Sequence, residues 1–564
     1  MSEKPRQAQV GRFLTSSVGP GDVFTREDLT PEQKLFGQTA ADFMRREVLP
    51  CVGRLYERDW PLTRELLRKA GALDLLRLEI PEIYGGLGLD KASAAYVFEQ
   101  IGMNPSFGGS IGAHTGIGTM PLLYFGSAAQ KARYLPRLAS GELIGAYALT
   151  EPGSGSDALA ARTTAVLTPD GKHYVLNGRK MWITNGGFAD LFTIFAKVDG
   201  TKFTGFLVER SMGVVSGPDE HKLGLDGSST TELILDDVRV PVENVLGTIG
   251  EGHKVAFNTL NLGRVKLGSR NLSCAKFALS NAARYARERR QFGKSIGEFG
   301  MIQHKLAEMS IRCFVGDAMV YRTLGEVDRA LATVDPADGE KVLATIEQFA
   351  VECSINKVAT SEALAYVVDE ALQVYGGNGY SREFPAERPY RDARITRIYE
   401  GTNEINRMII PTRILRQGVP GDAPAGGSGE RGLSAAAKRL AVAMLRAVAG
   451  AYGERVRDQQ EVLAHIADVV IEGYAIESAL ARTEKLAAAG RDTAAIAADM
   501  TSVFIADATD RIVHSAKQVA SALGPAGATT REAIAPLAAH PGVDSVAIRR
   551  RIAAAVLAAG QHPV

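Results

Sequence analysis

The chain has 564 residues, 45% of them hydrophobic, more than one core normally organises and ample to bury several, so disorder throughout is excluded. Its 65 basic and 64 acidic residues leave a net charge of +1 with neither sign dominating a long block, which argues against a nucleic-acid partner. Cys51, Cys274, Cys313 and Cys353 are scattered without CxxC pairing, which excludes a disulfide framework and a metal cage and fits a reducing compartment.

Residues 1–29 read as an N-terminal extension in which Glu3, Lys4, Arg6 and Asp22 leave no apolar core of a secretory signal. No stretch of 18 uninterrupted apolar residues follows, so the expectation is a soluble, cytoplasmic protein. From 30 to 148 apolar residues recur at helical spacing, as in Phe36, Ala40, Phe43 and Met44, punctuated by Pro50, Pro61, Pro81 and Gly85-Gly86. Between 149 and 247 the period changes. Short β-branched or aromatic runs at Tyr174, Phe192, Phe203 and Glu232 are separated by Asp170-Gly171, Asn177-Gly178 and Asp226-Gly227, read as turns of a barrel-like or sandwich-like β domain.

Helical spacing returns over 248–416, with long segments at Ser273–Arg290, Met301–Ala330 and Lys341–Tyr375, suited to a four-helix bundle. Residues 417–432 collect Gly, Pro, Ala and Ser as a linker, and 433–564 form an appended α-helical domain. The fold class is therefore α+β and multidomain, with no fixed-period repeat.

Three segments carry chemistry. Arg397-Ile-Tyr-Glu-Gly-Thr-Asn-Glu-Ile405 places the carboxylate of Glu400 directly before Gly401, where backbone can approach a flat group closely. A glutamate before glycine is ordinarily a solvated turn residue, but one desolvated by a substrate and a flavin can have its pKa raised towards the operating pH and act as a base. Leu149-Thr-Glu-Pro-Gly-Ser-Gly-Ser-Asp157 supplies a constrained turn rich in donors, as an ordinary loop or as a cradle for a flavin edge or phosphate. Met181-Trp-Ile-Thr184 offers Trp182, either as a core residue or as a cover for a ring face, with the Thr184 hydroxyl beside it. Two further motifs are discounted: Gly108-Gly-Ser-Ile-Gly112 matches G-x-S-x-G but follows a helix, so Ser110 has no catalytic role, and neither an HExxH pair nor a Rossmann fingerprint is present. No metal is expected.

In order and spacing these segments resemble the acyl-CoA dehydrogenase family over about residues 30 to 415. The resemblance implies FAD as cofactor, oxidation of an acyl-CoA to the trans-2-enoyl-CoA, a homodimer, and electron delivery to electron-transfer flavoprotein. It makes Glu400 the α-proton base. It implies that Tyr147, Leu149, Thr150, Gly155, Ser156, Trp182, Ile183 and Thr184 contact FAD. Arg290 and Phe292, within Arg290-Gln-Phe-Gly-Lys294, and Gln303 would do so, often from a neighbouring subunit, and Gln373, Gly376, Gly377, Thr402 and Glu404 complete the surface. Substrate contacts would come from Ser156, Asn261, Arg264, Tyr399 and Gly401. Some members place the base immediately before the arginine matching Arg264; here that position is Gly263, which leaves Glu400.

The C-terminal extension and Ile111-Gly-Ala-His114 look most like the very-long-chain branch, so the expected substrate is a long-chain acyl-CoA of fatty-acid β-oxidation. A flavin-dependent acyl-CoA oxidase and an assembly or scaffold protein retaining the fold are the alternatives. In the appended domain Leu440, Met444 and Val448 form one apolar stripe beside Lys438, Arg439 and Arg446. Packing or dimer support is the expected use of that stripe, and peripheral contact with the inner membrane is the alternative.

Overall fold

A computed structural model of the chain describes residues 10–336, 338–418 and 421–564; the first nine residues of the N-terminal extension and two of the linker lie outside the described residues. It resolves two compact units, Leu29–Ser273 with Ala330–Glu347, and 10–28 with Cys274–Arg329 and Gln348–Val564.

The first unit opens on a capping box. The Thr30 side chain accepts from the Gln33 N–H, Gln33 returns the bond to the Thr30 N–H, and Pro31 begins helix Pro31–Phe43. Asp59, Asp90, Asn104 and Ser127 cap the helices Trp60–Ala72, Lys91–Ile101, Pro105–Ala113 and Ala128–Ala139 in the same manner, each offering a side-chain oxygen to the first-turn amides. Their inner faces supply Phe43, Leu67, Ile101 and Phe107 to a core shared with Phe192, Ile194, Phe206 and Leu233 of the sheet. Each such burial contributes about 1.5–3 kcal/mol relative to exposure.

The eight strands are β1 Gly145–Ala148, β2 Thr164–Leu167, β3 His173–Thr184, β4 Leu191–Val198, β5 Lys202–Glu209, β6 Val215–Asp219, β7 Thr230–Pro241 and β8 Val245–Leu246. They pair in the order β6-β7-β3-β2-β4-β5-β8, and β1 joins β4 in parallel. The sheet thus begins at Gly145, inside the stretch expected to be helical to 148, because those four residues are all buried against the sheet. Asn177-Gly178 is not a turn: it lies within β3 at a register shift against β7. A Cβ on Gly178 would come 2.5 Å from the Thr163 hydroxyl, so the dipeptide marks a close approach inside a long strand.

In the second unit, helices Gly300–Leu331, Ala350–Tyr375 and Asn403–Arg416, with residues 274–288 of helix Gly252–Glu288, carry the bundle. The single helix expected over Lys341–Tyr375 is instead two, Gly339–Glu347 and Ala350–Tyr375. The appended helices Gly429–Tyr452, Gln460–Ala488, Ala494–Ala522, Ala528–Ala538 and Ser545–Ala559 start inside the expected linker. They share one continuous core with the bundle, from Leu279, Phe314 and Val367 to Leu440, Ile466, Met500 and Ile552. Leu440, Met444 and Val448 are each 0% exposed, so the stripe packs inward and offers no face to a membrane. Among the described residues no helix is long and apolar enough to cross one.

Residues 10–28 are not a free extension. They lie on the appended helices through the Phe13–Tyr474 ring contact, the Glu27–Arg482 ion pair at 2.6 Å and an ion pair from Asp28 to Lys485.

His114 shows how tightly the first unit is built. Its ring is 0% exposed; Nδ1 accepts from the Gly145 N–H at 2.9 Å, which places the ring proton on Nε2, facing the Leu138 carbonyl at 3.0 Å. Burial pushes this imidazole down to about 4, against a smaller upward pull from the Leu138 carbonyl and Asp190. Because the folded value is depressed, the contribution is fully present above the unfolded value of about 6.5 and is lost as pH falls towards 4, a loss on the order of 3 kcal/mol. Thermal scans of the wild type between those pH values should show a fall in the first transition that His114→Gln, weaker throughout, largely lacks. Parallel slopes for the two proteins would remove His114 as the cause.

Candidate active site

The residues expected at the site fall in both units. In the first, the loop after β1 is held by a buried ion pair. Lys180 on β3 (side chain 0% exposed) donates to Glu151 Oε1 at 2.7 Å and to the Leu149 carbonyl at 3.3 Å. The Glu151 carboxylate also accepts from the Arg162 and Thr163 N–H groups at 2.5 and 3.1 Å and from the Thr163 hydroxyl at 2.5 Å. Burial works to raise the Glu151 carboxyl, but the Lys180 charge and these donors outweigh it and hold it low. Lys180 is pushed down by burial against the pull of Glu151. With four donors converging on one carboxylate, the charged pair is the state the geometry supports.

This anchor, the Met181 N–H donating to the Thr150 carbonyl at 2.8 Å and the turn between Glu151 and Ser154 fix the loop, which leaves Gly155 and Ser156 exposed. Next to it the β3–β7 register slips between Lys180 and Ile183, and Trp182 sits there at φ 61°. The slip turns the indole outward, 54% exposed, while Ile183 is buried and Thr184 half-buried. Trp182 is therefore not a core residue. Tyr147 and Leu149 are buried at 8% exposure each, with the Tyr147 ring edge-on to Phe195, so only their backbone and edges are available to a ligand. Asn261 and Arg264 lie one turn apart on helix Gly252–Glu288, both buried, with the guanidinium donating to Asn261 Oδ1 at 2.9 Å.

In the second unit the carboxylate sits on a strained turn. Glu400 has φ 57° and Gly401 φ 81°, two successive left-handed residues immediately ahead of helix Asn403–Arg416. Thr402 caps that helix by accepting from the Ile405 N–H, and Asn406, 0% exposed, donates to the Gly401 and Thr402 carbonyls at 2.9 and 3.0 Å. Tyr399 is half-buried and Glu404 exposed beside this turn.

Arg290-Gln-Phe-Gly-Lys294 forms a hairpin. Arg290–Gln291 pairs with Lys294–Ser295, and Phe292 (φ 53°) and Gly293 (φ 80°) make a two-residue turn with both central residues left-handed. Phe292 stands 92% exposed at the tip, while Arg290 donates to the Gly293 carbonyl at 3.1 Å and Gln303 to the Gly297 carbonyl at 3.1 Å. Gly376 ends helix Ala350–Tyr375 at φ 59°, ψ −138°, and a Cβ on Gly376 or Gly377 would meet nothing within 4 Å. Backbone conformation, not internal crowding, demands glycine at Gly376. Gln373 is exposed on the same helix end.

Comparison with known proteins fits this arrangement. Models of the acyl-CoA dehydrogenase N-terminal, middle and C-terminal domains match residues 30–142, 146–238 and 250–415, and a further acyl-CoA dehydrogenase C-terminal domain model matches 436–534. A probable acyl-CoA dehydrogenase of Bacillus subtilis (strain 168) is 44% identical over 546 residues, 92% of each chain. The chain belongs to the acyl-CoA dehydrogenase family.

The mitochondrial very long-chain specific acyl-CoA dehydrogenase of Homo sapiens is 39% identical over 411 residues, 71% of this chain and 60% of that protein. A crystal structure of an acyl-CoA dehydrogenase from Bacillus anthracis complexed with FAD superposes with a TM-score of 0.96 at 41% identity, covering 99% of this chain and 100% of that one. The chain is thus a family enzyme with additional C-terminal helices.

Sequence reasoning missed the groups that hold the family motifs in place: Lys180 and Glu151 in the first unit, Asn403 and Asn406 in the second. Lys180 had a signal, since it falls on the buried face of β3 with Tyr174 and Leu176, where a lysine requires a partner. Removing that lysine would strand a buried carboxylate. Lys180→Met is expected to destabilise the first unit by about 3–5 kcal/mol, read as a lowered urea midpoint. A loss below about 1 kcal/mol would mean that Glu151 does not need its cation.

Proposed function

We propose that this enzyme catalyses FAD-dependent α,β-dehydrogenation of a long-chain acyl-CoA to the trans-2-enoyl-CoA, with Glu400 as the α-proton base. The observation that carries the reading is the carboxylate of Glu400 on a left-handed turn that Asn406 and the Thr402 cap hold rigid. A base positioned by its backbone does not have to be found by side-chain search, and positioning is the larger part of what such a group contributes. In the reaction the carboxylate takes the proton from C2 of the thioester.

The residues present fit an isoalloxazine and its phosphates. In the first unit Trp182 offers an exposed aromatic face at the strand slip, Ser156 and Thr184 offer hydroxyls and Gly155 lets backbone approach; in the second, Gly376 and Gly377 do so where no side chain of this chain intervenes. Thr150, Arg290, Phe292, Gln303, Gln373, Thr402 and Glu404 complete the contacts proposed for FAD. Bound there, FAD supplies the acceptor for the hydride that leaves C3, which no side chain can provide. Ser156, Asn261, Arg264, Tyr399 and Gly401 are proposed to orient the thioester. The Phe292 tip supports a homodimer, because a phenylalanine 92% exposed at the end of a hairpin can reach a cofactor held on a neighbouring subunit.

Electron-transfer flavoprotein is the proposed acceptor for the reduced enzyme, and fatty-acid β-oxidation the setting. The long-chain preference is supported by the relation to the human very long-chain enzyme. Anaerobic addition of saturated acyl-CoAs of increasing length should bleach the flavin, most efficiently with long chains. Glu400→Gln should keep FAD and lose about 10²-fold to 10⁴-fold in bleaching rate. An active Gln variant would remove Glu400 as the base, and peroxide formation without an added acceptor would mark an oxidase instead.

A further inference from the structure

The turn that presents Glu400 is tied by hydrogen bonds to the appended helices. Asn403, the first residue of helix Asn403–Arg416, is 3% exposed, and its amide is held on every side. Its Oδ1 accepts from Lys357 at 2.6 Å, and its Nδ2 donates to Ser361 Oγ at 3.1 Å and to Glu362 Oε1 at 2.9 Å. The same Glu362 carboxylate is gripped by both terminal nitrogens of Arg407 at 2.7 and 3.0 Å, a fork only arginine can make. The remaining donor, Nε of Arg407, goes at 2.8 Å to Oδ1 of Asp468, which lies on the appended helix Gln460–Ala488. Burial disfavours the Arg407 cation, but Glu362 and then Asp468 more than offset it, so the charge persists.

We infer that Arg407 and Asp468 are positioning residues for the base, and that the appended helical region therefore works as part of the catalytic apparatus. The path runs Asp468, Arg407, Glu362, Asn403, and Asn403 is three residues from Glu400 on a turn whose two left-handed residues cost energy to hold. Arg407 has one face on the bundle helix and one on the appended helix, so its guanidinium plane is set by both carboxylates together. Loss of Asp468 leaves Glu362 free to draw the arginine away and loosens the amide that clamps the helix start.

This inference rests on Glu400 being the α-proton base, and the test separates the two. The full-length holoenzyme is compared with Asp468→Ala, with Asp468→Glu, and with Glu472→Ala as control. Glu472 lies one turn further along the same helix, and its grip by Arg511 at 2.5 and 3.0 Å leads to another appended helix, Ala494–Ala522, rather than to the turn. Amide hydrogen exchange over residues 399–406 is expected to rise about 10-fold in Asp468→Ala and to stay at the wild-type rate in Glu472→Ala. The rate of flavin bleaching by a saturated acyl-CoA should fall about 10-fold to 100-fold in Asp468→Ala with little change in KM, and recover in part in Asp468→Glu.

Unchanged exchange in that segment overturns the inference whatever the activity. So does raised exchange with a bleaching rate within twofold of wild type, and so does an equal loss in Glu472→Ala, which would mark a general weakening of the helix. If the wild type itself bleaches with no acyl-CoA, the reaction assignment falls and the exchange arm alone decides the positioning.

Discussion

The site depends on bulky residues being held where the backbone rarely goes. Trp182, Phe292 and Glu400 have φ of 61°, 53° and 57°, a region that costs a residue with a Cβ about 1–2 kcal/mol. Each is compensated locally by a different device. Trp182 sits at a strand slip closed again by pairing of Ile183 and Thr184 with β7, Phe292 shares a tight hairpin with Gly293, and Glu400 leads into a capped helix with Asn406 bonded back to the turn. The strain turns each side chain away from where regular structure would bury it. All three are among the residues proposed above for cofactor contact or for the base.

Buried charge is the second recurring means. The buried Lys180–Glu151 pair places ions where a hydrophobic substitute would often be as stable, and the Glu362–Arg407–Asp468 chain is a half-buried counterpart of it. What they supply is direction: a carboxylate with four donors around it, or an arginine between two carboxylates, has one low-energy arrangement where a leucine has several. Rigid loops at the site follow from that.

The appended helices are not a passenger on the bundle. Their core is continuous with it, residues 10–28 are strapped over them, and the apolar stripe of Leu440, Met444 and Val448 is spent inside, with Lys438 beside it paired to Glu477. A lysine at 1% exposure can sit beside an apolar stripe only because a carboxylate meets it there, and helical periodicity carries no record of such a partner.

The chain's organisation was legible because local signals agree with the fold: the change from helical to alternating period near 149, the return of long helical runs, and motifs whose spacing identifies a family. The sequence by itself determined which residues are proposed to carry the chemistry, since a carboxylate before glycine, an aromatic beside a hydroxyl and a donor-rich turn are properties of residue type and order. Tertiary structure alone decided how they are presented. Asn177-Gly178 became a bulge because Thr163 approaches it, Arg290–Lys294 became a hairpin because two residues adopt left-handed φ together, and the Glu400 turn acquired its supports from Glu362 and Asp468, 38 and 68 positions away. Contacts between residues so far apart in the chain leave no local trace, and the geometry of the site is made of them.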